Sequence, residues 1–224
     1  MPETLRYSDE DLRGMTYALH KKLRTEGKVT DAEIGHLFLP WITDSIDLKL
    51  QRYAARLIAN ELHRYHPDPF TGVVGIPTMG TFLATTLAEE MEIPLLVSRK
   101  GAFVPSTWEY PVVVANKPYS NGVPAYHAYN IPPGAEMLLV DDVLSEGTTI
   151  IPIIDAYRDQ GAIVDVVAVY VNKLFRPGNQ LLRERRVQTI AAYNIEAVRS
   201  DGTLVVVPPG ITGGTHVQAE RVLY

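Results

Sequence analysis

The sequence predicts an α/β protein, a mainly parallel sheet flanked by helices, in one domain over residues 1–224. Three observations predict it. Past residue 70, short apolar runs alternate with helical windows, and alternation of that kind builds a parallel sheet through right-handed crossovers. The runs are continuously apolar, as in strands buried on both faces. A chain of 224 residues suits one substantial core and is short for two.

The elements follow in order. Ser8, ahead of Asp9, Glu10 and Asp11, reads as an N-cap with an acidic first turn, and Gly27 after Lys21, Lys22 and Arg24 reads as a helix end. Together they predict a first helix over about residues 9–26. From Ser45 onward, Leu50, Tyr53, Ala54, Leu57, Ile58 and Leu62 recur at three- and four-residue steps, the stripe of an amphipathic helix that stops near His66-Pro67. Strands are then expected at 72–76, 94–97, 137–140 and 163–171, with helices at 81–91 and 148–160. Residues 187–192 add a strand, and 196–198 with 204–207 form a hairpin turned at Ser200-Asp201-Gly202, read as a small appendage. Two stretches break the pattern. Residues 99–132, rich in Pro, Tyr, Asn and Gly, have the length of a mobile lid, and the tail 208–224 has no assignable periodicity or role.

Composition removes several function classes. A formal net charge of −5 argues against a protein whose whole surface is a footprint for nucleic acid. The absence of cysteine excludes disulfides, zinc-thiolate sites and thiol nucleophiles, so any metal is held by oxygen or imidazole. No apolar run has the length of a membrane span, and the N-terminal residues lack the basic start and apolar stretch of a signal peptide. The expected compartment is the cytoplasm, with no membrane partner.

The chemistry concentrates in residues 136–149. A buried strand ends in Asp141 and Asp142, passes through Ser145-Glu146-Gly147-Thr148-Thr149 and enters a helix. Ligands of open parallel sheets sit beyond the carboxyl ends of the strands, and a turn that opens a helix aims unpaired N–H groups at a phosphate. Gly147 permits close approach, and the hydroxyls of Ser145, Thr148 and Thr149 add donors. Adjacent carboxylates have the wrong sign for phosphate but suit vicinal hydroxyls or a nearby Mg²⁺.

This segment resembles the phosphoribosyl pyrophosphate (PRPP) signature of type I phosphoribosyltransferases, an apolar strand followed by DDxxxTGGT, matched at the strand, both aspartates, Gly147 and Thr149. The resemblance implies that the turn binds the 5′-phosphate and that the aspartates hold the ribose hydroxyls, with Mg²⁺ carried mainly by PRPP. Glu146 stands where the family has a neutral polar residue, and a carboxylate beside a phosphate is repulsive unless its side chain turns away. Further segments look like the family. Arg99-Lys100 is similar to the basic pair that faces pyrophosphate in adenine and xanthine phosphoribosyltransferases, and Thr78-Met79-Gly80 resembles the pyrophosphate loop. Lys173 and Phe175, in a strand end followed by Pro177-Gly178, are similar to the lysine and aromatic residue that meet the purine in bacterial xanthine phosphoribosyltransferases.

The resemblance covers roughly residues 20–207 and implies a hood over the base built from 1–45 and 175–207. Around Thr43 the family's asparagine for the purine is not evident. It also implies transfer of the phosphoribosyl group to a purine, with a 6-oxopurine favoured because an ammonium donates to a carbonyl oxygen and meets the exocyclic amine of adenine poorly. Arg99, Lys100, Asp141 and Asp142 are then the candidate catalytic residues, and a homodimer is expected. The alternatives are a PRPP-binding regulator without catalysis and a transferase for adenine, orotate or another base. His63 and His66, three apart at a helix end, read as structural because no third ligand accompanies them and a helix C-terminus favours histidine.

Overall fold

The computed structural model describes all residues except 1–6, 32–34, 67–69, 97–98, 101–103, 117–124, 208–209, 213–221 and 224. For residues 99–100, 116, 125–128, 210–212 and 222–223 the backbone alone is described. Helix α1 spans Asp9–Glu26 and opens with a reciprocal cap: Ser8 Oγ accepts from the Asp11 N–H, and the Asp11 carboxylate accepts from the Ser8 N–H. Strands β1 (Lys28–Asp31) and β2 (His36–Phe38) form a small antiparallel hairpin, followed by the short helix α2 (Pro40–Thr43). Helix α3 (Leu48–Tyr65) is capped by Asp47, whose side chain accepts from the N–H groups of Lys49 and Leu50.

The main body alternates through β3 (Gly72–Gly75), α4 (Gly80–Met91), β4 (Leu95–Leu96), β8 (Glu136–Leu144), α5 (Ile150–Asp159), β9 (Ile163–Lys173), α6 (Pro177–Glu184) and β10 (Gln188–Val198), with α6 a helix the sequence reading did not include. With β11 (Leu204–Val207) and β13 (Val222–Leu223), the large sheet has the order β13-β11-β10-β9-β8-β3-β4, with all neighbours from β10 to β4 parallel. Successive residues face opposite sides. Val73, Leu138, Val140, Val166, Ala168 and Ile190 pack beneath α1, α3 and α4, while Val74, Leu139, Val167, Val169 and Ala191 pack with α5 and Leu182 of α6. Burial on both faces is why these strands are apolar throughout.

Three expectations change. The 196–207 hairpin is no appendage: β11 (Leu204–Val207) pairs with β10 inside the main sheet, and its four valine and leucine side chains are buried. Residues 99–132 carry three strands, β5 (Arg99–Lys100), β6 (Pro111–Asn116) and β7 (Ala125–Asn130), in a separate antiparallel sheet of order β5-β7-β6. Val112, Val114, Tyr129 and Ile131 from this segment pack in the core against Ile153, Ile154 and Tyr157 of α5, so the base of the segment is anchored by apolar burial. The tail supplies β12 (Gly210–Thr212) and β13 (Val222–Leu223), which pair with β10 and β11.

Candidate active site

Because β3, β8 and β9 are parallel neighbours, the turns that follow them emerge on one side of the sheet. That is where ligands of open α/β sheets bind. Asp141 and Asp142 lie near the end of β8, both half-buried, and the Asp142 N–H donates to Asp141 Oδ1 at 2.9 Å. The turn then runs to Thr149, the N-cap of α5, so helix starts at Ile150, two residues later than expected. Gly147 has φ +77, a left-handed conformation in which other residues are strained.

Two glycines press neighbouring segments onto this turn. A Cβ on Gly178 would lie 2.4 Å from the Ser145 carbonyl oxygen and 3.0 Å from the Gly147 nitrogen, while the Gly178 N–H donates to that same oxygen at 2.8 Å. The N-terminus of α6 therefore sits directly against the turn. On the other side a Cβ on Gly80 would lie 2.7 Å from both Asp141 Cα and the Val140 carbonyl oxygen. Helix α4 thus begins in contact with the strand end that carries the aspartates. Ahead of it Thr78 is exposed and Met79 half-buried, in a turn whose Pro77–Thr78 peptide is cis.

Lys173 closes β9 and is 7% exposed, buried rather than solvated as strand-end lysines commonly are. Three side-chain amides stand behind it. Asn179 Nδ2 donates to Asn172 Oδ1 at 2.7 Å, and Asn172 Nδ2 donates to Asn194 Oδ1 at 3.1 Å, which links α6, β9 and β10. Phe175 remains 37% exposed, and its ring edge meets the β1–β2 turn: a Cβ on Gly35 would come 2.4 Å from Phe175 Cζ and 3.6 Å from Val198 Cγ2. The N-terminal hairpin and the C-terminal segment therefore touch at the aromatic residue.

Glu146 does not hang free beside the turn. It accepts from Arg176 Nε at 2.6 Å and from Arg176 Nη2, forming an ion pair with a residue to which sequence reasoning gave no role. The only signal was a charge opposite to the unusual carboxylate, and no local spacing links the two. Burial, then the neighbouring Asp142 charge, raise the Asp141 carboxyl well above the usual carboxylate range. Burial, then the Arg176 charge, lower the Lys173 ammonium, with Glu146 and Asp142 opposing. Asp142, Glu146, Lys173 and Arg176 thus share one electrostatic environment.

Two other expected site residues, Arg99 and Lys100, lie on β5 of the separate antiparallel sheet. The Arg99 and Lys100 backbone pairs with Ala128 and His127 of β7, and their side chains lie outside the described residues. Among the described residues no group of three or more His, Cys, Asp or Glu side chains has metal-holding geometry. The adjacent carboxylates Asp141 and Asp142 have the hard oxygen donors that Mg²⁺ prefers, and the ion's remaining donors would have to come with a substrate. His66 Nε2 is bonded to Gln188 Oε1 at 2.8 Å, in keeping with a structural role. No helix among the described residues is long and apolar enough to cross a membrane.

The arrangement can cradle a phosphate, hold vicinal hydroxyls and present a buried cation two residues from an exposed aromatic side chain. Comparison with known proteins points the same way. The family described as Phosphoribosyl transferase domain matches residues 44–202. The chain is 24% identical over 183 residues to a xanthine phosphoribosyltransferase of Streptococcus thermophilus, covering 80% of this chain and 91% of that protein. It is 27% identical over 198 residues to a hypoxanthine/guanine phosphoribosyltransferase of Methanothermobacter marburgensis, covering 86% and 97%. In fold it is similar to the Trypanosoma brucei adenine phosphoribosyltransferase crystallised with AMP, pyrophosphate and ribose-5-phosphate, with a TM-score of 0.57, 20% identity and coverage of 72% and 70%.

Proposed function

The chain belongs to the phosphoribosyl transferase family, and on that premise we propose that it transfers the phosphoribosyl group of PRPP to a 6-oxopurine, namely xanthine, guanine or hypoxanthine, releasing pyrophosphate. The observation that carries the choice of base is Lys173, 7% exposed at the end of β9 and within the electrostatic reach of Asp142 and Glu146. An ammonium has three donors and no acceptor. A 6-oxopurine offers it an acceptor, whereas adenine offers a donor and would leave the lysine unpaired.

In this reading the N–H groups and hydroxyls of residues 145–149 hold the 5′-phosphate, and Asp141 and Asp142 accept hydrogen bonds from the ribose hydroxyls. Thr78, Met79, Gly80, Arg99 and Lys100 face pyrophosphate, and Phe175 lies against the purine. The bond from C1′ to the pyrophosphate oxygen breaks and its electron pair leaves with pyrophosphate, while a ring nitrogen of the base supplies the pair for the new bond and sheds its proton. No side-chain nucleophile is required, so positioning and electrostatics supply the rate. Mg²⁺, held by PRPP oxygens with Asp141 and Asp142 beside them, would neutralise charge on the leaving group. Residues 99–132 act as the cover that excludes water, the β1–β2 hairpin and the Phe175 segment it touches form the hood over the base, and the active form is a homodimer.

The test is pyrophosphate release from PRPP with each of the four purines, using the natural protein and Lys173→Gln. We expect kcat/KM for the best 6-oxopurine to exceed that for adenine by at least tenfold, and the Gln variant, whose amide both donates and accepts, to compress that ratio. Adenine as the best substrate, or an unchanged ranking in the variant, would remove Lys173 from base selection. Sedimentation as a monomer at micromolar concentration would remove the homodimer.

A further inference from the structure

We infer that Arg176 is a phosphate-binding residue held in reserve by Glu146, so that the Glu146 carboxylate occupies the guanidinium until the 5′-phosphate displaces it; this rests on the assignment of residues 145–149 as the phosphate turn. Glu146 lies inside that turn and is the acidic residue that a phosphate must approach. Its carboxylate is engaged through both Nε and Nη2 of Arg176. Arg176 is the N-cap of α6, and the following turn of that helix is locked to the phosphate turn through the Gly178 N–H on the Ser145 oxygen. The Arg176 backbone is therefore held beside the turn by contacts that do not depend on Glu146.

The chemistry favours exchange. A guanidinium that grips a carboxylate presents the same planar donors to a phosphate oxygen. A phosphate monoester carries roughly −1.5 to −2 charge near neutral pH against −1 for the carboxylate. The pair is partly solvated, with side-chain exposures of 27% for Arg176 and 40% for Glu146, so breaking it does not strand a charge in a dry interior. After exchange Glu146 is free to turn to solvent. Lys173, on which Arg176 and Glu146 act in opposite senses, then faces an arginine paired with phosphate in place of the carboxylate. Filling of the phosphate turn would in this way be felt at the base-facing lysine.

The test is calorimetric binding of ribose 5-phosphate to the natural protein, Arg176→Ala, Arg176→Lys, Glu146→Thr and the double variant Glu146→Thr/Arg176→Ala, with thermal melting to establish that each is folded. Glu146→Thr should bind about tenfold tighter than the natural protein, Arg176→Ala about tenfold weaker and Arg176→Lys between the two. The double variant decides. It should bind at least tenfold more weakly than Glu146→Thr alone, because the freed guanidinium is then missing. Equal binding by these two variants would show that Arg176 only neutralises Glu146, and a natural protein that does not bind ribose 5-phosphate would also overturn the inference. Binding with this pattern but no turnover of any base would sink the proposed function and leave the exchange standing.

Discussion

On the proposed assignment of Asp141 to the ribose hydroxyls, stability and function oppose each other at this residue. Its carboxyl is pushed upward by burial and by Asp142, so the folded chain carries a cost for ionising it. Replacing it with Asn removes that cost, and the variant should melt a few degrees higher, at about 2–4 °C per kcal/mol for a chain of this size. The same change should weaken use of PRPP by roughly 1.5–3 kcal/mol, since charge-assisted bonds to the ribose hydroxyls are lost. A variant that melts lower and keeps its KM for PRPP would contradict both parts. Gly80 offers a second test. Its added methyl would meet the backbone of Val140 and Asp141, which cannot swing aside as a side chain can. Gly80→Ala should therefore destabilise by about 1–3 kcal/mol and lower kcat/KM through displacement of the strand end. Thermal melting and initial rates on one preparation would show whether the two losses occur together.

Helix α1 shows how local chemistry makes an element legible. Its cap is written in Ser8 and Asp11 and its end in Gly27, all within a turn of the boundary, and the observed span is the expected one. Strand β6 shows the opposite. Val112 and Val114 are buried while Val113 is 42% exposed, a period of two that three identical side chains conceal. Helix α6 was not read from the sequence, and only the structure shows Gly178 at its start serving as a close contact. The aspartates, the turn and Lys173 were visible because each sits at the end of a strand with a distinctive neighbour. Arg176 was not visible as a partner of Glu146, since thirty residues separate them and only parallel packing of β8 and β9 joins them. The docking of α1 should also depend on pH. His20 stacks on Tyr193 at 5.9 Å, and burial lowers its pKa from 6.5. The folded state binds this proton less readily than the unfolded chain, so its contribution is complete above about pH 6.5 and is lost as pH falls through the lowered value. His20→Phe keeps a ring on Tyr193, and its melting temperature should fall less than that of the natural protein between about pH 7.5 and 5. Parallel curves for the two proteins would exclude His20 as the source.

At the scale of the whole molecule, one sheet carries two buried faces, and the described site lies at the carboxyl ends of three adjacent strands. That architecture was readable from alternation alone, because uninterrupted apolar strands between amphipathic helices have few other ways to fold. What alternation does not encode is how the sheet ends. Strand β11 is flanked by β10 on one side and by the two residues Val222–Leu223 on the other, through Val205↔Leu223 and Val206↔Val222. Those two residues act as a lid on a row of main-chain donors and acceptors beside valines 205–207. Removing residues 213–224 would uncover a β-branched edge, the kind of surface on which further chains add as strands. The truncated protein should therefore form thioflavin-positive aggregates at concentrations where the full chain stays clear, and a truncated protein that stays equally clear would exclude this role. The last strand would then be a guard against self-templating, with a part in keeping the enzyme dispersed that is separate from any part in its chemistry.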